Sequence, residues 1–288
     1  MFAFALGSAL GWTFFDFSRR QVGDRMAAVP AVVCIMILQT LLCLPFGGVG
    51  SLFEQDSRWF LMAGLSILAN AIANVLFVMS VQRAPFTLVV PLLSLTPAMS
   101  GATGWLVFGE ALNGQQILAV LIVVGAALWL GWHGEGRKPK TEEKLAMIMM
   151  SFTAFLWAIT PFFDRACAQS GSVPLTTYVG TQCLGIAATL GAVAIVTPAL
   201  RAQFAGLAPS LRKVAPWILL AAIASSIGLY FQIKGIMSIS QVGLFEAVKR
   251  SLTMLMSLAI GRLILKEHLT MTKVVGAGLM AFGIFLLA

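Results

Sequence analysis

The chain has 288 residues, 59% of them hydrophobic and 10% charged, with a net charge of +8 and a mean hydropathy of +0.93. Soluble domains carry about a quarter charged residues, so the composition excludes one and describes an integral membrane protein. The basic residues sit in short stretches between apolar runs and form no stripe, which suits lipid headgroups and cytoplasmic loops and gives no reason to expect nucleic acid.

Polar and Gly/Pro-rich breaks divide the chain into ten apolar segments, at 2–18, 29–47, 59–81, 86–108, 115–133, 145–167, 173–197, 215–236, 241–265 and 271–288. Each has roughly the 17–25 residues a helix needs to cross about 30 Å of hydrocarbon. Runs this long without period-two alternation exclude a transmembrane barrel, so the expected fold is an all-α membrane protein. The first run reads as a span and not as a signal peptide, because FDFSRRQ follows it where small residues would be needed.

Segment 1 carries Trp12 near its middle and Asp16 towards its C-terminal end. A tryptophan so placed is hard to explain as an interfacial residue; it stacks on a substrate or packs. The helix dipole disfavours an acid at that end, which makes Asp16 a candidate for proton coupling unless Arg19 and Arg20 neutralise it at the surface. Asn70 and Asn74 share a face of segment 3 and could bond a substrate or a neighbouring helix. Pro91 and Pro97 in segment 4 are expected to free backbone carbonyls and act as a hinge.

The polar stretch HGEGRKPKTEEK, residues 133 to 144, separates five segments from five. Segment 6 repeats the features of segment 1, with Trp157 near its middle and with Asp164 as a second candidate for proton coupling unless Arg165 neutralises it at the surface. In segment 8, Gln232 is a candidate for cavity lining, whereas Lys234 can reach the interface. Segment 9 contains LFEAVKRSLTML, with Glu246, Lys249 and Arg250 inside an apolar run. Each costs about 2.5 to 3.5 kcal/mol at mid-span if unmatched. Glu246 and Arg250 have the favourable i, i+4 spacing, which leaves Lys249 as a surplus cation near the midplane, facing water and an anionic substrate group. The alternative is a structural cluster in which Lys249 pairs with Asp164 or Asp16. Glu110 and Glu267 suit helix N-termini and are expected to be structural. Glycines in segments 5 and 10, among them Gly125, Gly278 and Gly283, fit a packing or dimer surface. Cys34, Cys43, Cys167 and Cys183 lack metal or disulfide spacing and read as packing residues.

The two halves share a pattern. FFDFSRRQVG from Phe14 and FFDRACAQSG from Phe162 align with Asp16 on Asp164, and GWLVFGEAL aligns with GRLILKEHL. Five is odd, so the second copy enters the membrane from the opposite side and forms an inverted repeat, the arrangement of secondary transporters with a site between the halves. Most Lys and Arg lie in loops after odd-numbered segments, which places both termini outside by the positive-inside rule.

These blocks, with Trp12 and Trp157 in the first helix of each half and with VVPLLSLTPAMSGATGWLVFGEAL and KRSLTMLMSLAIGRLILKEHL, resemble the drug/metabolite transporter superfamily, in particular its EamA-like ten-helix members. The resemblance covers nearly the whole chain. It implies two inverted five-helix repeats, 1–133 and 145–288, joined by the linker 134–144 around a central cavity. It also implies peripheral fifth and tenth helices, often at a homodimer contact, and export or exchange of small metabolites. The Lys249-Arg250 pair resembles the phosphate-translocator branch too, but that branch has a further basic residue in its first half, and segment 4 has none.

The expectation is a secondary transporter of the cell membrane for a small anionic or zwitterionic metabolite such as an amino acid or organic acid. Its expected partners are substrate and lipid, without cofactor or metal. Lys249, Arg250, Glu246, Trp12, Trp157, Asn70, Asn74 and Gln232 are the expected substrate contacts. A phosphorylated-metabolite antiporter is one alternative, and a receptor or lipid-binding scaffold is an alternative of another class. Enzymatic chemistry has no motif to rest on: His133 and His268 are far apart, and GxSxG, HExxH and phosphate loops are missing from the sequence.

Overall fold

The computed structural model describes residues 2–48, 50–109, 113–133, 140–169, 173–239, 242–264, 266 and 270–287. Glu110, Glu267 and His268 lie outside them. The described residues form helices and no strand: α1 (Phe2–Gly23), α2 (Ala28–Cys43), α3 (Ser57–Arg83), α4 (Phe86–Val89), α5 (Thr96–Phe108), α6 (Gly114–His133), α7 (Thr141–Gln169), α8 (Leu175–Val196), α9 (Pro198–Ala202), α10 (Leu207–Met237), α11 (Val242–Leu263) and α12 (Met271–Leu287). Local chemistry sets several starts. Asp56 caps α3 by accepting from the Trp59 amide at 2.8 Å, and Glu143 reaches back to the Lys140 amide at 2.7 Å ahead of α7.

Among the described residues, five helices are long and apolar enough to cross a bilayer: α2 with the turn after it, α3, α7, α8 and α10. α1 and α11 have 22 residues each but carry ionisable side chains inside. Segment 4, drawn from sequence as one run, is broken. α4 gives way to a 3-10 stretch, Val90–Leu95, before α5 begins. Pro91 and Pro97 stand in the first turns of the 3-10 stretch and of α5, where a residue without an N–H costs least. Large apolar side chains cover the outside, including Leu41, Trp105 and Ile195, each more than 60% exposed. In water such a surface would aggregate; against lipid it is satisfied.

Helix pairing joins the halves. α1 packs on α10 and α3 on α7, α2 packs on α8, and α6 packs on α12. Exchanging the halves turns the first pair into the second and each of the others into itself. The pairs run antiparallel: Phe4 meets Phe231 while Phe17 meets Trp217, and Trp59 bonds Cys167 while Ser80 bonds Ala146. Small residues permit the approach. A Cβ on Gly283 of α12 would lie 2.6 Å from Val123 of α6, so this glycine serves packing within the chain. A Cβ on Gly125 or Gly278 would meet no atom of a neighbouring element within 4 Å.

Candidate functional site

α1, α2, α3, α7, α8, α10 and α11 surround a cavity of about 60 Å³. It has room for a few waters at roughly 10 to 15 Å³ apiece. Trp12, Asp16, Asn70, Asn74, Trp157, Asp164, Gln232, Lys249 and Arg250 all line it, although they are scattered over the sequence. Glu246 is fully buried behind Lys249. Pro97 does not line the cavity.

Three polar networks organise the walls. In the first, on α10 and α11, Lys249 Nζ donates to Glu246 Oε1 at 2.5 Å and to Gln232 Oε1 at 2.8 Å, and the Trp12 indole donates to the same Gln232 oxygen at 2.8 Å. The i, i+4 ion pair expected from helical spacing is present, but it is the longer of the two that Glu246 makes. The i+3 lysine takes the glutamate, while Arg250 Nε stays 4.0 Å from Glu246 Oε2. Gln232 offers the ammonium a second acceptor, and Trp157 offers the guanidinium a ring face 5.3 Å from its carbon. Lys249 is therefore not the surplus cation, and its partner acid is on its own helix. Arg250, 7% exposed, donates no hydrogen bond to any described residue.

In the second network Arg19 neutralises Asp16, but in the interior and not at the surface. Asp16 and Arg19 are both buried and paired, and Arg19 Nη1 also donates to Asn74 Oδ1 at 2.7 Å. The guanidinium lies between the Phe15 and Phe77 rings, 4.1 and 3.6 Å from their centroids. Stacking replaces part of the hydration this cation gives up.

The third network centres on Asp164, whose Oδ1 accepts from Ser66 Oγ and from the Tyr178 hydroxyl, both at 2.7 Å. Gln182 Nε2 donates to Tyr178 at 2.9 Å, Asn70 Nδ2 reaches Ser66 Oγ at 3.3 Å, and the Trp157 indole donates to Asn70 Oδ1 at 3.1 Å. Trp12 to Gln232 and Trp157 to Asn70 are equivalent contacts: in each, the first helix of one half binds an amide on the third helix of the other.

Sequence reasoning missed Arg19, Gln39, Tyr178, Gln182 and Ser225 as cavity or network members. Gln39 and Gln182 are lone amides in apolar runs, the same signal that drew attention to Asn70. Ser225 Oγ donates to Gln39 Oε1 at 2.8 Å. Arg19 lies one residue beyond segment 1, whose apolar run ends at residue 18.

A sequence model of the EamA-like transporter family matches residues 1–132 and again 144–288. The threonine/homoserine exporter RhtA of Salmonella typhimurium strain LT2 is 27% identical over 132 residues, and that of Escherichia coli strain K12 is 28% identical over 131. Each match spans 44% of this chain and only 43% of the relative. One solved crystal structure superposes with a TM-score of 0.71 over 99% of this chain and 94% of its own, at 13% identity, which is a likeness of fold. The family match falls on both sides of the polar linker, and the protein is therefore a member of the EamA-like transporter family, a multi-pass protein of the cell membrane.

Proposed function

We propose that the protein exports small zwitterionic metabolites, neutral amino acids first among them, by alternating access between two inverted five-helix repeats that make ten spans. Antiparallel packing of α2 on its counterpart α8 supports the inversion: Val29 meets Gln203, at the end of the short α9 that follows α8, while Thr40 meets Gly180. The observation that carries the substrate class is Arg250. Its guanidinium is buried in the cavity against Trp157 and 4.0 Å from Glu246, and its Nε has no hydrogen-bond partner among the described residues. A carboxylate supplies two parallel acceptors for that fork.

Charge balance supports a zwitterion over a phosphorylated metabolite. Asp16, Asp164 and Glu246 match Arg19, Lys249 and Arg250, all buried around one cavity. A ligand with no net charge preserves that balance, whereas a phosphate dianion leaves buried charge uncompensated. The small cavity also favours a small ligand. Export as the direction, and threonine as the first probe, follow the names of the relatives.

The test is counterflow of radiolabelled L-threonine in proteoliposomes, with Arg250→Gln as the comparison. Saturable counterflow that Arg250→Gln removes supports the reading. Counterflow of sugar phosphates in place of amino acids would sink it.

A further inference from the structure

Gln39 and Gln182 line the cavity from α2 and α8, and both side chains are buried, at 2% and 4% exposure. The two helices touch at the level of these amides, where Thr40 Oγ1 donates to the Gly180 carbonyl at 3.5 Å. α11, which carries Arg250, packs mainly on α1, α5 and α12. The guanidinium and the amide pair therefore stand on different walls of one cavity.

Each amide uses one end for the protein, and the two leave opposite ends over. Gln39 Oε1 accepts from Ser225 Oγ at 2.8 Å, whereas its Nε2 donates to no described residue. Gln182 is the reverse. Its Nε2 donates to the Tyr178 hydroxyl at 2.9 Å and to the Ala63 carbonyl at 3.4 Å, while Oε1 is buried without a hydrogen-bond partner among the described residues. The Ala63 carbonyl can only accept, so it fixes which end of this amide faces α3. Bonding between helices accounts for the Gln39 oxygen and the Gln182 nitrogen. It does not account for a donor on α2 and an acceptor on α8, whose burial costs free energy unless a ligand meets them.

We infer that Gln39 and Gln182 select the substrate by a hydroxyl on its side chain, which accepts from Gln39 Nε2 and donates to Gln182 Oε1. The inference rests on the amino-acid substrate proposed above and adds the residues that tell one amino acid from another. A hydroxyl is a small group that both donates and accepts, which suits a cavity of about 60 Å³. A methyl in its place does neither, so an apolar side chain of the same shape leaves both amide groups buried and unpaired. Sites of this kind reject the analogue without the hydroxyl far more strongly than an apolar pocket rejects a missing methylene. Both amides are neutral, so the selection leaves the charge balance of the cavity unchanged.

The experiment is competition against counterflow of radiolabelled L-threonine by unlabelled L-threonine and by L-valine, which carries a methyl where threonine has its hydroxyl. In the wild type, L-threonine should compete at least about 100-fold better. Gln39→Leu and Gln182→Leu should each reduce that ratio by at least about tenfold. A merely structural role for the amides would weaken both ligands alike and leave the ratio where it was, which overturns the inference. Gln39→Asn and Gln182→Asn keep the amide but withdraw it by one methylene, and they give the same comparison if leucine unfolds the chain. Equal competition by the two amino acids in the wild type, which needs no variant to fold, also overturns the inference and leaves the proposed function standing. No L-threonine counterflow by the wild type removes both.

Discussion

Gly11 of α1 faces Gly228 of α10 so closely that a Cβ on Gly11 would lie 2.4 Å from the Gly228 nitrogen. Ser8 on the same face donates to the Gly228 carbonyl at 3.0 Å. Backbones meet here because lipid gives helices no hydrophobic reason to associate, and packing must supply it. Gly11→Ala should therefore destabilise by about 1 to 3 kcal/mol through overpacking. Gly64, where a Cβ meets nothing within 4 Å, should accept alanine with a change of at most about 0.5 kcal/mol. Thermal unfolding in detergent distinguishes them, and equal midpoints would refute the α1·α10 contact as a stability determinant.

Arg250 and Lys249 are neighbours with opposite expected roles. Arg250→Gln removes a cation whose described partners are a long ion pair with Glu246 and the face of Trp157, so it should abolish threonine binding at a smaller cost in stability than the loss of Lys249. Lys249→Gln strips the fully buried Glu246 of its partner and should cost about 3 to 5 kcal/mol. Thermal shift with and without L-threonine reads both effects. If the lysine variant melts like the wild type while losing ligand response, the assignment of the two residues is reversed.

Arg250→Lys keeps the charge but not the planar fork. We expect threonine binding at least about tenfold weaker, since a point charge cannot take two carboxylate oxygens in parallel. Full affinity in this variant would show that charge alone suffices.

Arg19 and Asp16 should behave as one unit. Arg19→Met leaves an unpaired carboxylate among Phe15, Phe77 and α3, a loss of about 3 to 5 kcal/mol. Adding Asp16→Asn should recover much of it, as removing both charges costs less than removing one. A double-mutant cycle of unfolding midpoints measures the coupling, and additive losses would mean that the pair contributes nothing together.

Trp157 combines a ring facing Arg250 with an indole donor to Asn70. Trp157→Phe keeps a ring and loses the donor; Trp157→Ala loses both. Threonine affinity should fall in two steps, the second by about 0.5 to 2 kcal/mol for the lost cation–π contact. A single step at phenylalanine would assign the whole effect to the Asn70 bond.

Much of the site was legible before any coordinates. An amide or charge inside an apolar run is costly enough to need a reason, and this logic drew attention to Asn70, Asn74, Gln232, Glu246, Lys249 and Arg250. Applied evenly, it would also have selected Gln39 and Gln182. Arg19 was not legible in the same way. A cation at a span end usually reaches water, and it is Asp16, Asn74 and the stacked Phe15 and Phe77, the last 58 positions away, that keep this one inside.

Hydropathy, length and internal repetition by themselves determined that this chain is a helical membrane protein built from two related halves, because apolar spans and duplicated spacing are properties of the chain alone. Which cation pairs with Glu246 was a tertiary decision. The i+3 and i+4 residues are both within reach along α11, and Gln232 on α10 and Trp157 on α7 sort ammonium from guanidinium by the partners they present. The fate of the two equivalent acids was decided the same way. Asp16 is held by Arg19 on its own helix, while Asp164 depends on hydroxyls brought from α3 and α8, and only packing brings those helices to it.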